Sequence, residues 1–215
     1  MKNRQYIKTD QLIQTIFLSL WQHAPIANIT VHQICNDTDL DRRTFYNHYA
    51  DIYALKDSLE QQFVDELEKQ SDELLKTKGS GKKALTDFVN LEFSYIKTHL
   101  STFKTFVARD AHSFYQKYFH FTYRVIIKAF SNFNSLEIQY VFVLLSWGLM
   151  GWLEYWLKQA NQEETFETIK SLYGRLLISC YEQIDLNLTT ALDVNFKRIA
   201  PDGEIDVLSN ILKQE

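Results

Sequence analysis

At 215 residues, 46% hydrophobic and 14% aromatic, the chain has ample apolar side chain for a sizeable core, which excludes a disordered polypeptide. Its formal net charge of −4 excludes a nonspecific polyanion binder. Two widely separated cysteines, Cys35 and Cys180, exclude a disulfide framework or a CxxC pair. Both read as small core residues rather than redox sensors. Six glycines and two prolines leave few breakers, so helices are expected throughout. No secretory leader is recognisable at the start, and a cytoplasmic protein is expected.

Residues 1–9 carry Lys2, Arg4 and Lys8 and no acid. They are either a basic arm reaching phosphates or a minor groove, or an ordinary frayed terminus. A first helix is predicted from residue 9 or 10 to 23. Leu12, Ile13, Ile16, Phe17 and Leu20 form its apolar stripe, and Ala24-Pro25 ends it.

Residues 29–55, ITVHQICNDTDLDRRTFYNHYADIYAL, organise the chain. Thr30 suits an N-cap, with Ile34 facing inward in the helix that follows. The run Asp37-Thr38-Asp39-Leu40-Asp41 interrupts the pattern. Asp41 then caps a second short helix, residues 42–48, where its carboxylate satisfies orphan amides and suits the helix dipole. Phe45 and Tyr49 face one way with Leu40. Arg42, Arg43, Thr44, Tyr46, Asn47 and His48 cover the remaining surface. A solvated charged face is the plain alternative for the two arginines. A free face made almost wholly of hydrogen-bonding side chains fits insertion into a DNA major groove better.

The order TFYNHY after a capped turn, followed by ADIYAL, resembles the DNA-binding domain of the TetR family of bacterial transcription regulators. The resemblance implies an all-α fold: a three-helix helix-turn-helix domain, then a helical ligand-binding and dimerisation domain. It makes Arg42, Arg43, Thr44, Tyr46, Asn47 and His48 the recognition helix, with Tyr46 and His48 facing phosphates. Thr30 joins the DNA-binding set, and His32 matches a position that reaches a base or phosphate. Two positions depart from the family pattern. Asp39 stands at the turn where Gly is usual, although Asp tolerates a left-handed conformation. Ile52 stands where a phosphate-contacting Lys is common, and Lys56, one turn on, is the candidate substitute.

A connecting helix is predicted over residues 52–75, with Leu55, Leu59, Phe63 and Leu67 on its apolar side. Lys78-Gly79-Ser80-Gly81-Lys82 has linker composition but neither the preceding strand nor the spacing of a phosphate loop. Helices are then expected at 83–99, 101–108, 113–133, 136–159 and 163–184. The apolar stretch 140–153 is closed by Glu137 and Glu154. At about 14 residues it is too short to span a bilayer, so a buried or interface helix is expected and no membrane partner. The phrase WGLMGWLEYWLK, residues 147–158, resembles the C-terminal domains of a Gram-positive branch of the same family, which includes the dihydroxyacetone-kinase activator. In the tail, Ala200-Pro201-Asp202-Gly203 signals a turn. Ile205, Leu208, Ile211 and Leu212 then suggest a short amphipathic helix without an assigned role.

The domains expected are 1–51 for DNA binding, 52–184 for effector binding and dimerisation, and a tail, 185–215. A mostly apolar effector cavity is expected from Phe93, Ile96, Phe103, Phe106, Phe119, Tyr123 and Trp147. His99, Arg109, His112 and Arg124 would supply its polar groups, the arginines suiting an anionic or acyl headgroup. Alternatively, the seven large side chains simply fill a core. His99, His112 and His120 lack the short spacing of a zinc site, so no metal or cofactor is expected. No GxSxG elbow or nucleophile–base pairing is recognisable, and no enzyme activity is expected. The function expected is a homodimeric repressor of palindromic operator DNA, controlled by an effector in the C-terminal domain. The alternative is an activator or adaptor controlled by a partner protein docking there.

Overall fold

The computed structural model describes residues 4–129, 136–159 and 162–190, leaving aside the side chains of 136–139, 162 and 183–190. The predicted helix at 205–212 lies outside these residues. The described chain is all-α: α1 (Arg4–His23), α2 (Val31–Thr38), α3 (Arg42–His48), α4 (Ile52–Lys78), α5 (Lys82–Thr98), α6 (Leu100–Ala129), α7 (Leu136–Leu157) and α8 (Gln162–Thr190). A single 3-10 turn, Ile26–Asn28, follows Pro25.

The short elements are fixed by local chemistry. Thr30 and Gln33 form a reciprocal capping box at the start of α2. Asp39 ends α2 in the left-handed region, at φ 54° and ψ 37°. A short polar side chain tolerates that conformation better than a bulky one would. Asp41 caps α3 and Asp51 caps α4, each accepting a backbone N–H three residues on at 2.7 Å.

Helix α1 begins five residues earlier than its apolar stripe suggests. Nothing between Arg4 and Thr9 breaks a helix, and the Tyr6 ring stacks on His48 with centroids 3.9 Å apart. Arg4 and Lys8 are therefore helical residues, not parts of an extended arm. Helix α6 joins the two helices expected at 101–108 and 113–133, with a kink at Asp110 (φ −155°, ψ 64°). Before the kink it crosses α1, where Phe106 meets Trp21 at 5.8 Å between ring centroids. Beyond it, α6 runs alongside α4 in the same direction, as the pairs Asp57–Lys117, Glu68–Arg124 and Asp72–Lys128 show.

One hydrophobic core extends from Ile13, Phe17, Ile34 and Phe45 through Leu59 and Phe63 to Phe103, Phe114, Tyr173 and Leu177. The helix-turn-helix unit is thus packed into the rest of the chain rather than tethered to it. Helix α7 ends within two residues of the expected 136–159. Its apolar part runs past Glu154, and Tyr140–Leu157 forms an 18-residue window long and apolar enough to cross a membrane by composition. It packs on neighbouring helices through buried Phe142, Leu149, Met150, Leu153 and Trp156.

Candidate nucleic-acid interface

Phe45 is fully buried and Tyr49 nearly so, which fixes the rotation of α3 on the core. That rotation leaves Arg42, Arg43, Tyr46 and Asn47 exposed and Thr44 half-buried, its hydroxyl donating to Asp41 at 3.1 Å. Tyr46 is 54% exposed although it is aromatic. The Asp41 carboxyl is held below its ordinary range, first by the backbone N–H of Thr44 and then by the Thr44 hydroxyl. On α2, Thr30, His32, Gln33 and Asn36 are exposed, and Asn36 Nδ2 lies 3.4 Å from His32 Nδ1. The exposed surfaces of α2 and α3 present hydrogen-bonding groups suited to base edges and phosphates.

The remaining two residues of the expected DNA-binding set are placed differently. His48 turns inward, its side chain only 4% exposed. Its Nδ1 lies 3.1 Å from Asp10 Oδ1, and its ring lies against Tyr6. Asp10 also accepts from the Tyr49 hydroxyl at 2.7 Å, and Gln14 Nε2 donates to that hydroxyl at 2.9 Å. The end of α3 is therefore pinned to α1, so His48 positions the helix instead of facing phosphate. Burial raises the Tyr49 phenol well above its ordinary range, leaving it a neutral donor.

Lys56 is buried as well. Its ammonium donates to Asp110 Oδ2 at 2.5 Å and Ser113 Oγ at 3.0 Å, with Glu60 Oε1 at 3.5 Å. Glu60 is fully buried and accepts from Ser113 and Lys117, each at 2.8 Å. Partial burial opposes ionisation of Asp110, but the Lys56 ammonium outweighs it and holds that carboxyl below its ordinary range. Ile52 belongs to the core, so the usual lysine position is committed to packing. The exposed aromatic at the start of α4 is Tyr53, a residue that the sequence reading passed over.

The residues expected to line an effector cavity divide into two groups. Phe93, Ile96, Phe103 and Phe106 are fully buried. Phe103 and Phe106 pack on Phe63 and Phe114, with centroids 5.0–6.2 Å apart. Phe119 instead stacks on Trp147 at 5.4 Å and on Tyr123 at 6.0 Å. The expected polar groups point elsewhere. Exposed Arg109 donates to the Gln22 carbonyl at 2.5 Å, tying α6 to the end of α1. Exposed Arg124 grips both oxygens of Glu68, at 2.8 and 2.5 Å. His99 lies 3.0 Å from the Tyr95 carbonyl, and exposed His112 lies 3.1 Å from Gln116. These four do not converge, because each serves a neighbouring helix or its own turn.

The buried polar group in this region is one the sequence reading overlooked. Glu92 on α5 is fully buried, and its Oε1 accepts from the Tyr118 hydroxyl of α6 at 2.8 Å. Burial pushes its carboxyl up to about 8, opposed by the Tyr118 hydrogen bond. The apolar stripe held the signal: Glu92 falls in register with Leu85, Phe88 and Ile96. Among the described residues, no three His, Cys, Asp or Glu side chains cluster as a metal site.

The geometry is that of an all-helical fold with a helix-turn-helix unit packed on a larger helical bundle, and solved structures share it. A transcriptional regulator from Cytophaga hutchinsonii ATCC 33406 superposes with a TM-score of 0.53 at 17% identity, covering 81% of this chain and 97% of its own. The dihydroxyacetone kinase operon activator DhaS superposes with a TM-score of 0.56 at 16% identity, covering 84% of this chain and 98% of its own. No protein-family profile and no curated protein sequence matches the chain.

Proposed function

We propose that this protein is a homodimeric, cytoplasmic DNA-binding transcription regulator of the TetR type, not an enzyme. It represses by occupying a palindromic operator, and an effector bound in the C-terminal domain changes its affinity. The observation that carries the reading is α3, which buries Phe45 and presents Arg42, Arg43, Tyr46 and Asn47 to solvent. The fold shared with two transcription regulators supports it. Two copies of α3 about 34–36 Å apart would enter successive major grooves. An effector that alters that spacing is coupled to DNA reciprocally, typically by about 1–3 kcal/mol.

The second copy seats on α7 and α8. Tyr140, Leu144, Trp147 and Tyr155 are exposed along α7 at intervals of four, three and eight residues, and Leu172 and Leu176 are exposed on α8. Gly148 and Gly151 fall between them, and a Cβ at either would meet nothing within 4 Å. Exposed apolar side chains grouped on one face are the mark of an interaction surface.

The same aromatic surface, together with the name of DhaS as an operon activator, favours a second reading: an activator controlled by a docked partner protein. Footprinting of the DNA around the gene tests the main reading. Protection of a two-fold symmetric site, relieved by a small molecule, is the expected result. Protection only in the presence of a second protein would transfer the reading to the activator, and protection under neither condition would end both.

A further inference from the structure

We infer that each operator half-site is read by two side chains of α3, Arg43 on a guanine and Asn47 on an adenine, about one or two base pairs apart. The inference rests on the DNA-binding reading above and adds the bases recognised and the residue that recognises each.

The rotation of α3 singles out these two side chains. Successive residues of a helix turn by about 100°. The inner side is marked by fully buried Phe45 and by Tyr49, 7% exposed, with His48 beside them against Asp10. The direction opposite that arc falls between Arg43 and Asn47, which are four residues apart and both exposed. Arg42 and Tyr46 form a second pair at the same spacing, on the flank next to Tyr49 and Phe45. The Tyr46 ring stands edge-on to Phe45 at 5.6 Å between centroids. Thr44, on the other flank, is engaged with Asp41. When such a helix enters a groove, its crest meets the floor, where the base edges lie. The flank faces the walls, which leaves Arg42 and Tyr46 to the phosphates.

The chemistry of the crest then selects the bases. A guanidinium offers two parallel donors, which match guanine O6 and N7, both acceptors. A carboxamide offers one donor and one acceptor, which match adenine N7 and its amino group. The reverse assignment fails. A guanidinium has no acceptor for the adenine amino group, and the amide carbonyl would face a second acceptor on guanine. Among the described residues, neither the Arg43 nor the Asn47 side chain is engaged in a hydrogen bond within the protein. Residues four apart lie about 6 Å apart along a helix, and stacked base pairs about 3.4 Å apart, which sets the spacing.

The charge of the unit gives these contacts extra weight. Residues 4–51 hold four Lys or Arg and five Asp. Asp37, Asp39 and Asp41 are exposed around the turn that precedes α3. Attraction of cations to phosphate supplies nearly all sequence-independent affinity, and this unit has no excess of cations to offer. Base contacts therefore decide where it binds.

The test selects duplexes bound by the full-length protein from a randomised pool. The expected motif is an inverted repeat whose half-sites each hold a G·C and an A·T pair at the stated spacing. Affinities are then measured with 7-deazaguanine or 7-deazaadenine at those positions, which removes N7 and leaves base pairing intact. 7-Deazaguanine should weaken the wild type severalfold and leave the affinity of Arg43→Ala unchanged. 7-Deazaadenine should do the same for the wild type and Asn47→Ala. Each alanine variant should lose about 5- to 150-fold on the selected site and lose preference only at its own base. Arg42→Ala should weaken all sequences alike and flatten the salt dependence. A motif without those two pairs, or deaza bases that are silent or weaken wild type and variants alike, would overturn the code while leaving a sequence-specific regulator standing. If no sequence is enriched, the regulator reading fails together with the code.

Discussion

The Lys56 ammonium lies 2.5 Å from the Asp110 carboxylate, joining α4 to the kink of α6. Asp110 is the one described residue inside a helix that leaves helical geometry, and next to it Arg109 holds the end of α1. The two anchors tie the helix-turn-helix unit to α6 at its kink.

Lys56→Met should lower stability by about 3 kcal/mol, because it leaves the buried Glu60 and half-buried Asp110 carboxylates with fewer cations. Urea unfolding measures the loss. Operator affinity of the remaining folded protein should keep its dependence on salt, since no phosphate contact is removed. A shallower salt dependence with unchanged stability would return Lys56 to the DNA.

Arg43→Ala and Tyr46→Ala should each weaken operator binding by about 1–3 kcal/mol, with melting temperatures close to wild type, because both side chains are exposed. Gel-shift titrations at fixed salt are the measurement. His48→Ala should behave differently, loosening α3 from Asp10 and Tyr6 and lowering thermal stability along with affinity. If Arg43→Ala and Tyr46→Ala both bind like wild type, α3 is not the reading helix.

Leu144 and Tyr155 are 72% and 60% exposed, and replacing both with Glu should convert the proposed dimer to a monomer without unfolding it. A charge pair facing its symmetry copy across an apolar interface is strongly unfavourable. Sedimentation velocity at micromolar protein gives the answer. A double variant that sediments as wild type would remove α7 from the interface.

Local rules were legible in the sequence, and long-range partners were not. The caps at Thr30 and Asp41, the left-handed Asp39 and the inward Phe45 and Tyr49 each depend on residues within one turn, and each formed as read. His48 and Lys56 were misread because their partners, Asp10 and Asp110, lie 38 and 54 residues away. The packing of the residues expected around a cavity was hidden for a related reason. Periodicity identifies Phe103 and Phe106 as inward-facing, but not whether facing rings meet. Here Phe63 and Phe114 fill the space between them. The more informative signal was a charge on an apolar stripe. Lys56 lies in register with Ile52, Leu59 and Phe63, as Glu92 does with Phe88 and Ile96. Both turned out to be buried.

Glu92 makes a prediction about stability and pH. Its carboxyl titrates near 4.5 when free of the fold and at about 8 inside it. Between those values the folded chain keeps a proton that the unfolded chain has released. Stability contributed at this position is therefore complete below pH 4.5, falls by about 1.4 kcal/mol per pH unit as pH rises, and levels off above about 8. Glu92→Gln removes that slope while its amide oxygen still accepts from Tyr118. The variant should be more stable than wild type at neutral pH, by an amount that grows from pH 5.5 to 7.5. Urea unfolding at three pH values across that range is sufficient to see the divergence. Parallel profiles for the two proteins would mean that Glu92 is already ionised in the fold, with a counter-charge or water reaching its second oxygen.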